Sequence, residues 1–218
     1  MFLISPPGVY RAQSDTAVMA GVLSRAGYAA GRHVLDVGTG SGALALAAAR
    51  AGAASVTAVD LSWRSVAATW LNARLHGARV DVRRGDLYGP VQDRRFGLIV
   101  ANPPYVPAET TTLPRFGVAR CWDAGLDGRA LLDRICDGAE SRLTDDGRLL
   151  LVHSAVCGAD ATVERLARRG LVAEVVERAR IPFGPVMRAR AAMLEARGLI
   201  EPGDDVEELV VVGARRAR

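Results

Sequence analysis

The sequence contains no lysine, so its formal net charge of +4 comes from arginine set against aspartate and glutamate. The arginines are dispersed among acidic residues, and only residues 215–218 form a basic cluster. Alanine and glycine are abundant as well, which together with the missing lysine indicates biased codon usage rather than a surface selected to bind phosphate. The high isoelectric point is therefore weak support for nucleic-acid binding, and nucleic acid is not the expected substrate.

Cysteine is also scarce, since only Cys121, Cys136 and Cys157 occur and no two of them form a CxxC pair. This spacing argues against a disulfide framework and against a structural zinc site, so we expect reduced thiols and no metal. No apolar run reaches the length of a membrane span, and the apolar N-terminal residues lack a basic leader. We therefore expect a cytoplasmic protein without a membrane segment.

Short apolar runs alternate with amphipathic stretches along the 218 residues, half of which are hydrophobic. This alternation predicts an α/β fold with a doubly wound, seven-stranded Rossmann-like sheet and helices on both faces, in one domain over residues 1–218. A long apolar seam for tight self-association is missing, so we expect a monomer or a weak homodimer. The predicted strands are residues 33–37, 55–59, 79–83, 96–101, 148–153, 171–176 and 207–212.

Helices are predicted between these strands and before the first of them. The N-terminal helix falls within residues 14–27, with Ser14 or Asp15 as its N-cap. Prolines bracket a segment at about residues 181–205, which predicts a helical hairpin inserted before the last strand. Trp63 and Trp70 are seven residues apart and are expected on a helix face that covers the sheet. The predicted helices are residues 15–26, 42–51, 63–76, 128–142, 160–169 and 184–197.

An acid and three spaced glycines follow the first predicted strand, in Asp36-Val-Gly38-Thr-Gly40-Ser-Gly42. Glycines at this place let the backbone approach a ligand closely. A dinucleotide fingerprint has pyrophosphate at the helix N-terminus, which a neighbouring carboxylate would repel. S-adenosylmethionine fits better, because its amino group and sulfonium are positively charged.

Two further acids follow the next two predicted strands. Asp60, followed by Leu61, can accept hydrogen bonds from both hydroxyls of a ribose, as acids at this distance from the glycines do in nucleotide-binding folds. Asp86 can accept from an adenine amine while Leu87 packs on the ring. Each acid alone could be an ordinary helix N-cap or loop residue. Three acids at successive strand ends indicate a ligand site, because ligands of such sheets bind outside the carboxyl ends of the strands.

The tetrapeptide Asn102-Pro103-Pro104-Tyr105 directly follows the apolar run at residues 96–101. Two prolines fix the backbone and remove two donors, so the Asn102 side-chain oxygen and the Pro103 carbonyl become rigid acceptors. These acceptors suit a planar NH2 group, with Tyr105 stacked on its face and the nitrogen directed at an electrophile. The tetrapeptide therefore predicts the catalytic residues of an enzyme that acts on an amino or amide nitrogen.

With these motifs in this order, the chain resembles class I S-adenosylmethionine-dependent methyltransferases, and among them the HemK/PrmC family of glutamine methyltransferases. The segment from Val9 to Thr16 is similar to the VYxPxxDT segment of the short archaeal and eukaryotic-like branch. The segment from Trp122 to Arg129 is similar to the one that follows the NPPY tetrapeptide in that branch. Arg11 and Ala12 depart from the residues common in the family.

The resemblance implies a methyltransferase that modifies the glutamine amide in the Gly-Gly-Gln motif of a peptide-chain release factor and leaves S-adenosylhomocysteine. It also implies that a small zinc-binding activator subunit is a possible partner. The implied cofactor contacts are Thr16, Asp36, Gly38, Gly40, Asp60, Leu61, Asp86, Leu87 and Asn102. The substrate amide would be held by Asn102, Pro103 and Tyr105.

Other methyl acceptors remain open at this stage. An exocyclic amine of adenine in DNA or RNA would suit the same tetrapeptide after base flipping. A small molecule or a protein lysine is a third acceptor, and a catalytically silent cofactor-binding partner is a different class altogether. The sequence shows no acceptor for the proton that the nitrogen must lose.

Overall fold

The structure is a computed structural model that describes residues 1–114 and 117–217. Its seven strands form one sheet in the order β3-β2-β1-β4-β5-β7-β6, which confirms the predicted fold class. Neighbouring strands from β3 to β5 are parallel, whereas β7 is antiparallel to both β5 and β6. The strands are β1 (His33–Val37), β2 (Ser55–Asp60), β3 (Val80–Arg84), β4 (Phe96–Ala101), β5 (Leu143–Ser154), β6 (Leu171–Pro182) and β7 (Val206–Arg216).

The described residues contain six α-helices, and the first five of them contact the strands of this sheet. Their bounds are α1 (Ser14–Ala26), α2 (Ala43–Arg50), α3 (Trp63–Leu75), α4 (Ala130–Arg142), α5 (Ala159–Arg168) and α6 (Pro185–Ala196). Alternate residues of β4 point to opposite faces: Ile99 joins a core with α4 and α5, and Leu98 joins a core with α1 and α2. All six residues of β4 are buried, as expected for a central parallel strand with helices on both sides.

Apart from strand bounds, of which β5 begins five residues before the predicted start and β6 ends six residues beyond the predicted end, three local predictions were wrong. Gln13 lies at the N-cap of α1 and makes no side-chain capping bond, so neither Ser14 nor Asp15 is the cap. The predicted hairpin at residues 181–205 is one helix, because β6 continues to Pro182 in antiparallel pairing with β7. Trp63 and Trp70 are 64% and 51% exposed and lie against arginine side chains rather than on the sheet.

The sheet changes its winding direction between β1 and β4. The chain proceeds from β1 outward through β2 and β3, then returns to β4 on the other side of β1. The loops that leave β1 and β4 therefore lie side by side at the carboxyl edge of the sheet. In doubly wound folds ligands bind at such a switch point.

Candidate active site

The loop after β1 is built from glycines in left-handed backbone conformations. Gly38 has a φ of 75°, Gly40 of 59° and Gly42 of 86°, values that side-chain-bearing residues rarely adopt. Asp36 lies behind this loop, 1% exposed, and its Oδ2 accepts from Thr39 Oγ1 at 2.6 Å and from the Ala45 amide at 2.9 Å. Asp36 therefore ties the strand, the loop and the first turn of α2 together.

Burial determines the protonation of Asp36. Removal from water raises the pKa of this carboxyl to about 7, with a smaller rise from the charge of Asp60, while the bonds from Thr39 and Ala45 act in the opposite direction. Asp36 lines neither of the two cavities described below. Its position supports a role in shaping the loop.

Asp60 connects the end of β2 to the same loop. Its Oδ2 accepts from the Gly40 amide at 3.0 Å, and its Oδ1 accepts from the Ser62 amide at 2.8 Å. Burial raises the pKa of Asp60, while its hydrogen bonds and the nearby Arg120 guanidinium lower it. With Leu61, Asp60 lines a cavity of about 200 Å³, which we call the glycine-loop cavity.

The opposite wall of the glycine-loop cavity comes from the segment after β3. Leu87 has a φ of 45°, the one positive value at a non-glycine residue in the described ranges. Such strained backbone is concentrated at functional sites. Asp86 and Leu87 both line the cavity, and Asp86 Oδ2 accepts from Arg134 Nη2 of α4 at 2.6 Å. Any ligand amine that reaches Asp86 would share its carboxylate with Arg134.

A second cavity of about 320 Å³ lies on the other side of the tetrapeptide, and we call it the β7 cavity. Its lining includes Tyr105, Glu207 of β7 and the start of α6. Asn102, Pro103 and Pro104 line both cavities. These three residues are therefore a shared wall at which groups held in the two cavities can approach each other.

A buried carboxylate at the start of α1 holds the shared wall in place. Asp15 accepts from the Tyr10 hydroxyl at 2.6 and 2.7 Å, from the Tyr105 hydroxyl at 3.2 Å and from the Thr16 amide at 2.5 Å. Burial, strengthened by the charge of Asp15, raises the pKa of both tyrosines far above the ordinary value, so both are neutral donors. Thr16 Oγ1 accepts from Asn102 Nδ2 at 3.2 Å.

Thr16 thus lies behind Asn102 and lines neither cavity. Its bond to the amide nitrogen of Asn102 orients that side chain and leaves the amide oxygen for other partners. The other predicted site residues, Asp36 apart, line one or both cavities. Among them, Tyr105 is only 9% exposed and lines the β7 cavity alone.

The segment after the tetrapeptide is fixed from two directions. The Cys157 thiol donates to the Tyr105 carbonyl at 2.9 Å, and the backbone of Gly128 passes against the same carbonyl. From α6, Arg190 donates to the Pro107 carbonyl at 2.8 Å and pairs with Asp123. The start of α6 is therefore a wall of the β7 cavity, and Arg190 links this helix to the loop after the tetrapeptide.

Sequence reasoning missed several residues of this site. Tyr10, Arg120 and Arg134 line the glycine-loop cavity, and Tyr10 also lines the β7 cavity. Asp15 was considered as a cap and as part of the N-terminal motif, without its contact to Tyr105. Glu207 could have been found from its alternation with Leu209 on a strand whose inward positions are buried. Its position opposite the tetrapeptide depends on the tertiary structure and could not be predicted from the sequence.

Neither a metal centre nor a membrane span emerges from the described ranges. In residues 1–114 and 117–217, no group of three or more His, Cys, Asp or Glu side chains is arranged to hold a metal ion. In the same part of the chain, none of the helices has the length and hydrophobicity needed to cross a bilayer.

A glycine loop after β1, an acid at the end of β2 and an Asn-Pro-Pro-Tyr tetrapeptide after β4 of a seven-stranded sheet define a Rossmann-like methyltransferase. Residues 1–115 match the family model described as "Methyltransferase small domain". The chain belongs to this methyltransferase family.

Proteins similar in sequence to this chain include glutamine methyltransferases. The chain is 33% identical over 175 residues to "Release factor glutamine methyltransferase" of Geobacter sulfurreducens, covering 78% of this chain and 61% of the relative. It is 43% identical over 124 residues to "Ribosomal protein uL3 glutamine methyltransferase" of Bradyrhizobium diazoefficiens, covering 54% and 39%. The chain thus spans less than two thirds of the length of either relative. These matches confirm the resemblance to the glutamine methyltransferases.

A solved structure supports the fold over nearly the whole chain. The Mtq2–Trm112 complex of E. cuniculi, described as responsible for methylation of the termination factor eRF1, has a chain that superposes with a TM-score of 0.66 at 21% identity. The alignment covers 96% of this chain and 99% of that chain. At this identity the likeness concerns the fold alone.

Proposed function

We propose that this chain transfers a methyl group from S-adenosylmethionine to the side-chain amide nitrogen of the glutamine in the Gly-Gly-Gln motif of a release factor. The observation that carries the proposal is the shared wall of Asn102, Pro103 and Pro104 between the two cavities. A donor in the glycine-loop cavity and an acceptor in the β7 cavity would meet at Asn102. We place this reaction in the cytoplasm, where release factors act.

The glycine-loop cavity fits S-adenosylmethionine. Gly38 lines it, and a Cβ at Gly38 would meet no protein atom within 4 Å, so the loop leaves open space for a ligand. Asp60 offers a carboxylate for ribose hydroxyls, and Leu87 offers an apolar surface for adenine. When bound, the cofactor supplies an electrophilic methyl group and its sulfur retains the electron pair of the broken C–S bond.

The β7 cavity would hold the acceptor side chain. An amide nitrogen is a poor nucleophile because its lone pair is delocalised into the carbonyl, so positioning and acceptor hydrogen bonds must provide the rate enhancement. The amide nitrogen of Asn102 donates a hydrogen bond to Thr16 Oγ1. This bond fixes the side chain so that its amide oxygen can accept from an N–H of the methyl acceptor. Asp15 and Glu207 give this cavity an acidic lining, which favours a donor-rich NH2 group over an anionic one.

Transfer of labelled methyl from S-adenosylmethionine tests the proposal. The substrates are purified release factor, the same factor with its Gly-Gly-Gln glutamine replaced by alanine, ribosomal protein uL3, and an unmodified oligonucleotide. We expect label on the intact release factor alone. Label on uL3 alone would keep the glutamine chemistry and change the substrate. Label on the oligonucleotide alone would contradict the glutamine chemistry and support adenine as acceptor.

An activator subunit is a second proposal, which draws on the Mtq2–Trm112 neighbour. Strand β3 is the last strand on its side of the sheet. Beside it, α3 exposes Trp70, which lines a surface cleft with Val80 and Asp81 of β3 that a small protein could cover. A Trp70→Arg variant should keep the activity of the isolated chain and lose any stimulation by a Trm112-type protein. Unchanged stimulation would contradict this docking surface.

A further inference from the structure

Glu207 is a buried carboxyl group to which the proposed function assigns no chemical step. It lies near the start of β7, is 5% exposed and lines the β7 cavity. Its Oε1 is buried without a hydrogen-bond partner among the described residues. A buried polar atom without a partner is costly, so such an atom at a cavity wall indicates a partner that arrives with a ligand.

The other carboxylate that lines this cavity has no comparable freedom. Asp15 is engaged by the hydroxyls of Tyr10 and Tyr105 and by the Thr16 amide. These donors fix the orientation of Asp15 and occupy both of its carboxylate oxygens. Asp15 and Glu207 are the two carboxylates of the described residues that line the β7 cavity. Of these two, Glu207 is therefore the one with an oxygen available to an acceptor side chain.

We propose that Glu207 is the general base that takes the proton lost by the acceptor nitrogen, an inference that rests on the proposed function. As the nitrogen forms its bond to the methyl carbon, one N–H bond breaks and its electron pair stays on nitrogen. The proton forms an O–H bond at Oε1 of the Glu207 carboxylate. The products are a neutral N-methyl amide and a neutral Glu207, which returns its proton to water after product release.

The surroundings of Glu207 suit this role. Burial raises its pKa to about 7, the nearby Ser154 hydroxyl opposes that rise, and the charge of Asp15 adds to it. A base with a pKa near the working pH combines a useful ionised fraction with a useful affinity for the proton. Three other titratable groups face Glu207, namely Tyr10 before α1, Tyr105 after β4 and Cys157 after β5. Burial raises the pKa of all three, so none of them competes with Glu207 for the proton near neutral pH.

The test compares Glu207→Gln with Glu208→Gln. Glu208 is the next residue on the strand and pairs with Arg178 on β6, away from the cavity. In the wild type, kcat should rise with pH through about 7, because the base acts only when ionised. Glu207→Gln should lose this rise and about two orders of magnitude in kcat, with a smaller change in KM for the acceptor. Glu208→Gln should behave as the wild type.

Two further measurements separate a base from a residue that only supports the fold. In Glu207→Ala, added formate should restore part of kcat, because a small carboxylate fits the space that the side chain leaves. Infrared difference spectra of the wild-type protein without substrate should show a carboxyl titration near pH 7 that is missing from Glu207→Gln, in addition to that of Asp36, which remains in both proteins. This second readout needs no methyl transfer.

The outcomes distinguish the two proposals. An unchanged pH profile in active Glu207→Gln would overturn the assignment of the base and leave the glutamine methylation intact. Absence of methyl transfer to any glutamine substrate by the wild type would instead remove the proposed function, on which the base depends. Identical carboxyl titrations near pH 7 in the wild type and in Glu207→Gln would contradict the base independently of activity.

Discussion

Substitution of Gly128 by alanine should displace the catalytic tetrapeptide from behind. Gly128 has a φ of 75°, and a Cβ there would lie 2.2 Å from the Tyr105 carbonyl oxygen and 2.7 Å from Cys157 Sγ. Both distances are far below van der Waals contact. The Tyr105 carbonyl would have to move, together with the backbone that leads to Asn102.

The cost has two parts. A left-handed conformation costs a residue with a side chain about 1–2 kcal/mol, and overpacking a close contact costs about 1–3 kcal/mol. Gly128→Ala should therefore lower the free energy of unfolding by about 2–5 kcal/mol. Gly125→Ala is a matched control, because Gly125 has a φ of 83° but its Cβ would meet only Ala130 Cβ at 3.6 Å. Gly125→Ala should lose only the part of the free energy of unfolding that comes from the left-handed backbone, about 1–2 kcal/mol.

Urea unfolding of both variants measures these free energies, and methyl transfer measures the consequence at the site. We expect Gly128→Ala to lose more stability than Gly125→Ala and also to lose kcat at saturating cofactor. Equal losses of stability in the two variants, with normal kcat in Gly128→Ala, would refute the claim that this glycine holds the tetrapeptide.

Three further changes test the site. Asn102→Ala should lower kcat by about 10²–10³-fold and leave cofactor affinity, measured by calorimetry, nearly unchanged; equal activity would contradict its catalytic role. Arg190→Met should destabilise the chain to urea by about 1.5–3 kcal/mol and raise KM for the acceptor, because α6 loses its bonds to Pro107 and Asp123; an unchanged KM would count against α6 as a cavity wall. The folded pKa of Asp36, about 7, lies above its ordinary value, so the folded state binds this proton more tightly and stability falls as pH rises from about 4 to 7. Asp36→Asn should remove that part of the fall in urea unfolding, and an unchanged pH slope would contradict the assignment.

Two central strands, β1 and β4, were predictable because their signal is local. Strands β1 and β4 begin and end where the sequence predicts, since each is a short apolar run between polar residues. Strand β6 was predicted too short, ending at residue 176 instead of Pro182. Its second half alternates charged and apolar residues and lies at the sheet edge, where pairing with β7 stabilises it, and that partner lies distant in sequence.

The same distinction applies to the site. Glycines, strand-terminal acids and the tetrapeptide were visible because each motif is contiguous and follows a predictable strand. Whether a residue lies in a cavity wall or behind it depends on side-chain direction, so the sequence could not distinguish Asp60, which lines a cavity, from Asp36, which does not. Glu207 stands about a hundred residues from Asn102, and only the antiparallel return of β7 brings it to the β7 cavity.

The central claim is that the tetrapeptide presents a glutamine amide nitrogen to the methyl donor. Tandem mass spectrometry of release factor incubated with this chain and S-adenosylmethionine tests it most directly, because fragmentation locates the added methyl group. We expect one methyl group on the side-chain nitrogen of the Gly-Gly-Gln glutamine, and only a trace of it after the same incubation when Asn102→Ala replaces the wild type. A methyl group on another residue, or full modification by Asn102→Ala, would contradict the account.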